Sequence, residues 1–228
     1  MVDLDAGTLT TRELNLKIKA LAANGAEEIR VLNPQARHNL AVSVLAPCDI
    51  TFEGSVGYFC ASLMDGPRVT IRGNAGWALG DNLMGGTIVA TGSVGAAVGS
   101  TMRGGEIFVG GNAGARAGIS MKGGTLIVAG SVGFMSGFMM QKGRIIVCGD
   151  VGDGLGDSMY EGTIYAAANI ESLGNDAIFD RISEEELISI WETLEGYGIK
   201  EQYQFRKIVS GKKLYHFDAL ERLEKTVI

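Results

Sequence analysis

Gly92-Ser93-Val94-Gly95-Ala96-Ala97-Val98-Gly99-Ser100-Thr101-Met102-Arg103-Gly104-Gly105-Glu106-Ile107-Phe108-Val109-Gly110 decides the fold, because the chain writes this sentence six times. Gly54, Gly73, Gly92, Gly111, Gly130 and Gly149 each open a unit, 19 residues apart. Every unit begins Gly-[Asn/Ser/Asp]-[Val/Ala]-Gly, so the fourth position is Gly57, Gly76, Gly95, Gly114, Gly133 and Gly152. The eighth is Gly80, Gly99, Gly118, Gly137 and Gly156, with Ala61 in the first unit. A fixed period with glycine at fixed phases is the signature of a solenoid, one repeat to a coil.

Three columns describe each coil. The sixteenth position is always aliphatic (Val69, Ile88, Ile107, Leu126, Ile145, Ile164), and the eighteenth holds Ile71, Ala90, Val109, Val128, Val147 and Ala166. Strand side chains alternate with period two, so these two columns share a side and line the bore. The eleventh position holds Met64, Leu83, Met102, Met121, Met140 and Met159. Methionines without Cys or His beside them read as an interior stack, not a soft-metal site. Between the bore columns runs the seventeenth position: Thr70, Val89, Phe108, Ile127, Ile146 and Tyr165. Alternation turns it outward, yet it is mostly large and apolar. Val89, Phe108, Ile127, Ile146 and Tyr165 therefore form a ribbon that needs a cover, either a terminal helix or a partner chain.

The pattern predicts an all-β solenoid, a parallel β-helix of about seven coils over residues 29–175. A hexapeptide β-helix needs a beat of six, which 19 does not contain, and no Gly-Gly-x-Gly-x-Asp repeat supports a calcium-binding solenoid. Residues 29–53 read as a degenerate opening coil, with strand-like runs at Ile29–Leu32 and Leu40–Leu45. Before it, residues 1–28 form a cap. Thr10 and Glu13 make a capping box, Leu14, Ile18 and Leu21 recur at helical spacing, and Gly25 stops the helix. After it, residues 176–228 carry a second capping box at Ser183 and Glu186 and an apolar stripe at Leu187, Ile190, Trp191 and Leu194. The basic and aromatic tail from Phe205 to Phe217 is expected to pack along the rod or reach a neighbour.

Composition excludes several classes. The net charge of −6 lacks the basic stripe that nucleic acid requires. No apolar run approaches the ~18 residues of a membrane span. The acidic start Met1-Val2-Asp3-Leu4-Asp5 has no signal-peptide pattern, so a cytoplasmic protein is expected. Cys48, Cys60 and Cys148 form neither CxxC nor an even framework and read as buried thiols. His38 and His216 have no motif partners. Gly152-Asp153-Gly154-Leu155-Gly156 imitates half a nucleotide loop but lies in register with the structural repeats and lacks GxGxxG spacing. Asp81 and Asp157 share a column four coils apart, about 19 Å, too far for a carboxylate pair. A stand-alone acyltransferase would have only the two histidines as a base. The residues thus offer no catalytic, cofactor-binding or metal site.

The repeated Gly-[Asn/Ser/Asp]-[Val/Ala]-Gly-x-x-x-Gly units resemble the GXGXG domain that closes the large subunit of glutamate synthase. They also resemble the GXGXG-containing subunit of formylmethanofuran dehydrogenase. The resemblance covers residues 29–175 and implies a right-handed β-helix that braces catalytic domains without active-site residues of its own. Four further segments look like the free-standing GXGXG subunits of N-methylglutamate synthases (methylamine–glutamate N-methyltransferases). They are Leu9–Asn15, Gly118–Gly123, Leu155–Glu161 and Leu214-Tyr215-His216-Phe217. Those enzymes are similar to a glutamate synthase split into three chains. The implied partners are a glutamine amidotransferase-like subunit and a glutamate synthase-like subunit carrying FMN and an iron–sulfur cluster. Ala61, Lys142 and Glu161 depart from the repeat's glycines, which in the family are structural.

Overall fold

The computed structural model describes residues 1–212. Its strands in chain order are β1 (Val2–Asp5), β2 (Glu28–Leu32), β3 (Asp49–Glu53), β4 (Arg68–Ile71), β5 (Thr87–Ala90) and β6 (Glu106–Val109), followed by β7 (Lys122–Val128), β8 (Lys142–Val147), β9 (Thr163–Ala166), β10 (Ala177–Asp180) and β11 (Arg206–Ser210). Two helices flank the coils: α1 (Thr11–Ala23) and α2 (Glu184–Glu195). All strands belong to one sheet of order β1-β2-β3-β4-β5-β6-β7-β8-β9-β11-β10. From β3 to β9 each neighbour is parallel and displaced by one repeat, so Ile50, Val69, Ile88, Ile107, Leu126, Ile145 and Ile164 stand in line. The result is a β-solenoid of about seven turns.

The second position of the repeat explains its own restriction to Asn, Ser and Asp. Ser55 Oγ accepts from the Asn74 amide (3.0 Å), Asn74 Oδ1 from Ser93 (2.8 Å) and Ser93 Oγ from Asn112 (3.1 Å). The ladder continues through Ser131, Asp150 and Asn169. Each short oxygen satisfies an amide that neighbouring coils would otherwise leave unpaired. Beside it, the third position forms a line of single parallel bridges from Val56 to Ile170.

The third side of the coil is not a strand. At the sixth, eighth and tenth positions the backbone is left-handed, as at Ala78 (φ 56°), Gly80 (φ 68°) and Asn82 (φ 53°). L residues tolerate this conformation at a cost of about 1–2 kcal/mol each. Hydrogen bonds to adjacent coils offset that cost here: Ala78 N donates to Ala96 O and Asn82 N to Ser100 O. The expected strand at Leu40–Leu45 is therefore corrected. Ala41 (φ 53°) and Ser43 (φ 54°) are left-handed, and Ser43 N donates to Ser62 O (2.8 Å). The stacking partner, not local β propensity, sets this backbone.

The bore columns behave as alternation requires. The sixteenth-, eighteenth- and eleventh-position side chains are all fully buried, so the methionines fill the core. At the seventh position Cys60, Leu79, Val98, Ala117 and Leu155 are joined by Ser136, whose hydroxyl donates to Gly133 O (2.9 Å).

Both ends are closed. At the start, Thr10 caps α1 through the full capping box, and Leu14, Ile18 and Ala22 are buried. The cap holds more than the expected helix, since β1 adds a parallel strand to β2. At the other end β11 runs antiparallel between β9 and β10, so the last coil does not present its edge to water. This strand answers part of the tail expectation, with Phe205–Ile208 packing on the rod. The remainder, Leu214 to Phe217 with His216, lies outside the described residues.

Candidate functional site

The most developed surface of the stack is the outer face of its sheet. Phe108, Ile127, Ile146 and Tyr165 form a second apolar cluster with Cys148, Ile190, Leu194 and Phe205, separate from the bore. Val89, Leu187, Trp191 and Tyr197 pack at its margin. The cover for the ribbon at Val89, Phe108, Ile127, Ile146 and Tyr165 is thus α2 and the segment that follows it. Of the two covers the sequence allowed, a terminal helix occupies the place. While α2 is docked, these side chains do not face another chain.

Polar contacts fix the helix. Arg144 reaches from β8 to Thr125 Oγ1 (3.1 Å), Ser189 Oγ (3.2 Å) and Thr193 Oγ1 (3.0 Å). Tyr197 stacks on Phe108 with parallel rings 4.2 Å apart, and its hydroxyl donates to Glu106. At the start of α2, Glu186 accepts from Tyr165 Oη (2.8 Å) and pairs with Lys207 Nζ (2.9 Å).

Burial alone would raise the Glu186 carboxyl. The Ser183 amide, Lys207 and Tyr165 outweigh it and bring the group from 4.5 to about 2. A carboxyl depressed on folding stabilises above its unfolded pKa and loses that contribution as pH falls through its folded one. The window runs from about pH 4.5 down to about 2. Melting temperature should therefore fall more steeply across this window in the wild type than in Glu186→Gln. Parallel acid profiles of the two proteins would contradict the clasp.

The residues with reactive side chains serve the stack. Cys48, Cys60 and Cys148 are free and buried. Burial pushes the Cys60 thiol to about 12 and Cys148 to about 11, which keeps both protonated. Among the described residues no group of His, Cys, Asp or Glu is placed to hold a metal. The amides of Gly152, Gly154 and Gly156 donate to Val132 O, Ser172 Oγ and Ser136 O, which leaves none of them for a phosphate. Asp157 is engaged by Asn175 and Ser158, and Asp81 by Asn82. No helix among the described residues is long and apolar enough to cross a membrane.

One surface escaped sequence reading. At the fifth position of successive coils His38, Tyr58 and Trp77 form a stacked column, with centroids 4.4 Å and 5.3 Å apart and planes within 18°. His38 Nδ1 accepts from the Tyr58 amide (2.9 Å). Glycine at the fourth position of the next coil makes room for each ring: a Cβ on Gly76 would meet Tyr58 at 2.4 Å, and one on Gly95 would meet Trp77 at 2.3 Å. The signal was present as aromatic residues one repeat apart, and only the stacked coils turn that spacing into a contact.

A sequence profile of the GXGXG motif family matches residues 35–208, most of the chain. No curated protein matches it.

Proposed function

Because the chain belongs to the GXGXG motif family, we propose that it is a structural subunit of a glutamate synthase-like complex, shaping the assembly while other chains carry the chemistry. The observation that supports this reading is the continuity of the match through coils whose repeated positions all serve stacking. The polar second position ties amides between coils, the eleventh fills the bore, and the seventeenth seats α2. In the finer form of the proposal the complex is an N-methylglutamate synthase. Its partners are then an amidotransferase-like chain and an FMN and iron–sulfur chain, in the cytoplasm. The flanking segments Leu9–Asn15 and Leu155–Glu161 favour that form over a glutamate synthase of ammonia assimilation or a formylmethanofuran dehydrogenase.

Affinity purification of the tagged chain from its native cell, with identification of the stoichiometric companions, tests both levels. The expected companions are an amidotransferase-like and a flavin-dependent synthase-like chain. Recovery with a molybdenum or tungsten enzyme would overturn the finer form, and recovery as a lone acyl-transferring enzyme would overturn the whole reading.

A further inference from the structure

The aromatic column stops short. His38, Tyr58 and Trp77 are followed at the fifth position by Ala96 and Ala115, and only then by Phe134. Trp77 is 58% exposed, and the floor beyond it is Ala96, Ala97 and Ala115, all half-buried. From the far side Arg116 places its guanidinium over the Phe134 ring, 5.2 Å from the centroid. Three coils separate Trp77 from Phe134, about 14 Å at the spacing of stacked strands. Subtracting the Arg116–Phe134 step leaves about 9 Å between the indole and the guanidinium, two stacking intervals with nothing between them. The gap is one ring thick.

We propose that this gap receives an aromatic side chain of a partner protein, held between Trp77 and Arg116. The chemistry of the walls selects the occupant. A ring inserted at the level of Ala96 would stack on the indole with one face and offer the other to a cation, both favourable arrangements. A nucleotide is a poor match, because its phosphates need donors and the local amides are committed. Gly95 N donates to Ala75 O, Ala97 N to Ala115 O and Gly114 N to Val94 O. Arg116 is then the one cation at the gap, engaged with a ring. The rim carries further exposed apolar side chains, Tyr58, Phe59 and Leu63 on one side and Phe134 on the other. A rim of this breadth suits a protein surface anchored by one aromatic residue, the usual form of an interface hot spot. The proposal rests on the subunit reading, which supplies the partner.

Ala96→Phe provides the test, since it would continue the column and fill the gap from within the chain. The fold tolerates a ring there, because Gly114 follows Ala96 as Gly76 follows Tyr58 and Gly95 follows Trp77. Methyl NMR of the purified chain titrated with N-acetyltyrosinamide should show saturable upfield shifts at Ala96, Ala97 and Ala115. Those shifts should vanish in Ala96→Phe, with an unchanged circular dichroism spectrum. In the native complex the same variant should lower partner recovery about tenfold or more. Unsaturable shifts, shifts that survive Ala96→Phe, or undiminished partner recovery would each overturn the proposal. So would saturable binding of adenosine monophosphate in place of the tyrosine probe. A cell that yields no complex even with the wild type would refute the subunit reading alone, and the titration would still decide the gap.

Discussion

Gly114→Val is expected to destabilise the stack by about 3 kcal/mol or more, through overpacking that the neighbouring coil cannot relieve. A Cβ at Gly114 would lie 2.7 Å from Ala96 N and 2.9 Å from Gly95 C, both main-chain atoms of the preceding coil. Side chains can swing aside, but this backbone is held by hydrogen bonds on both flanks. The sequence suggests positive φ at such corners as well. The structure removes that part, since Gly114 lies outside the left-handed region and close approach alone demands glycine there. Gly25 is the matching control. It has φ +81° and open space where its Cβ would go, so Gly25→Ala should cost only about 1–2 kcal/mol of backbone strain. Chemical denaturation of both variants checks the pair. Equal losses would mean that crowding between coils is not what fixes the fourth-position glycines.

Ile127→Asp should have the other large effect, and on a different link of the structure. Ile127 is fully buried beneath α2, in the cluster of Phe108, Ile146, Tyr165, Ile190 and Leu194. A carboxylate there has no partner and cannot remain buried without a penalty of several kcal/mol. Releasing α2 to water is the cheaper outcome, because the bore cluster does not include Ile127. Limited proteolysis should then cut within residues 181–205, which the wild type protects, while the β signature of the coils in circular dichroism persists. Protection equal to wild type would contradict the placement of α2 as the cover of this face.

The sequence revealed most where a residue type recurs at one phase. The bore columns, the methionine stack and both capping boxes follow from period and alternation, and the structure places them where those rules direct. The left-handed third side was illegible because Ala78, Asn82 and Thr101 carry no common chemical mark; the stacking bonds impose their backbone. Leu40–Leu45 misled for the same reason, since its β-rich composition describes a strand that the coil does not make. At the outer face, a breach of alternation at Ile127 and Ile146 announced a covered ribbon. Two candidate covers were open, and only the three-dimensional path of residues 184–205 assigns it to α2. The aromatic corner required the third dimension altogether, because His38, Tyr58 and Trp77 are 20 and 19 residues apart and meet only when coils stack.

In the proposed function this chain supplies shape and the rest of its complex supplies chemistry. Flavin and iron content of the separated subunits measures that division directly. The native complex would be dissociated under mild conditions, each chain isolated, and its absorbance spectrum and metal content determined. The expected result is a colourless chain, free of FMN and iron, with both cofactors recovered on a companion subunit. Stoichiometric flavin or iron retained by this chain alone would contradict it.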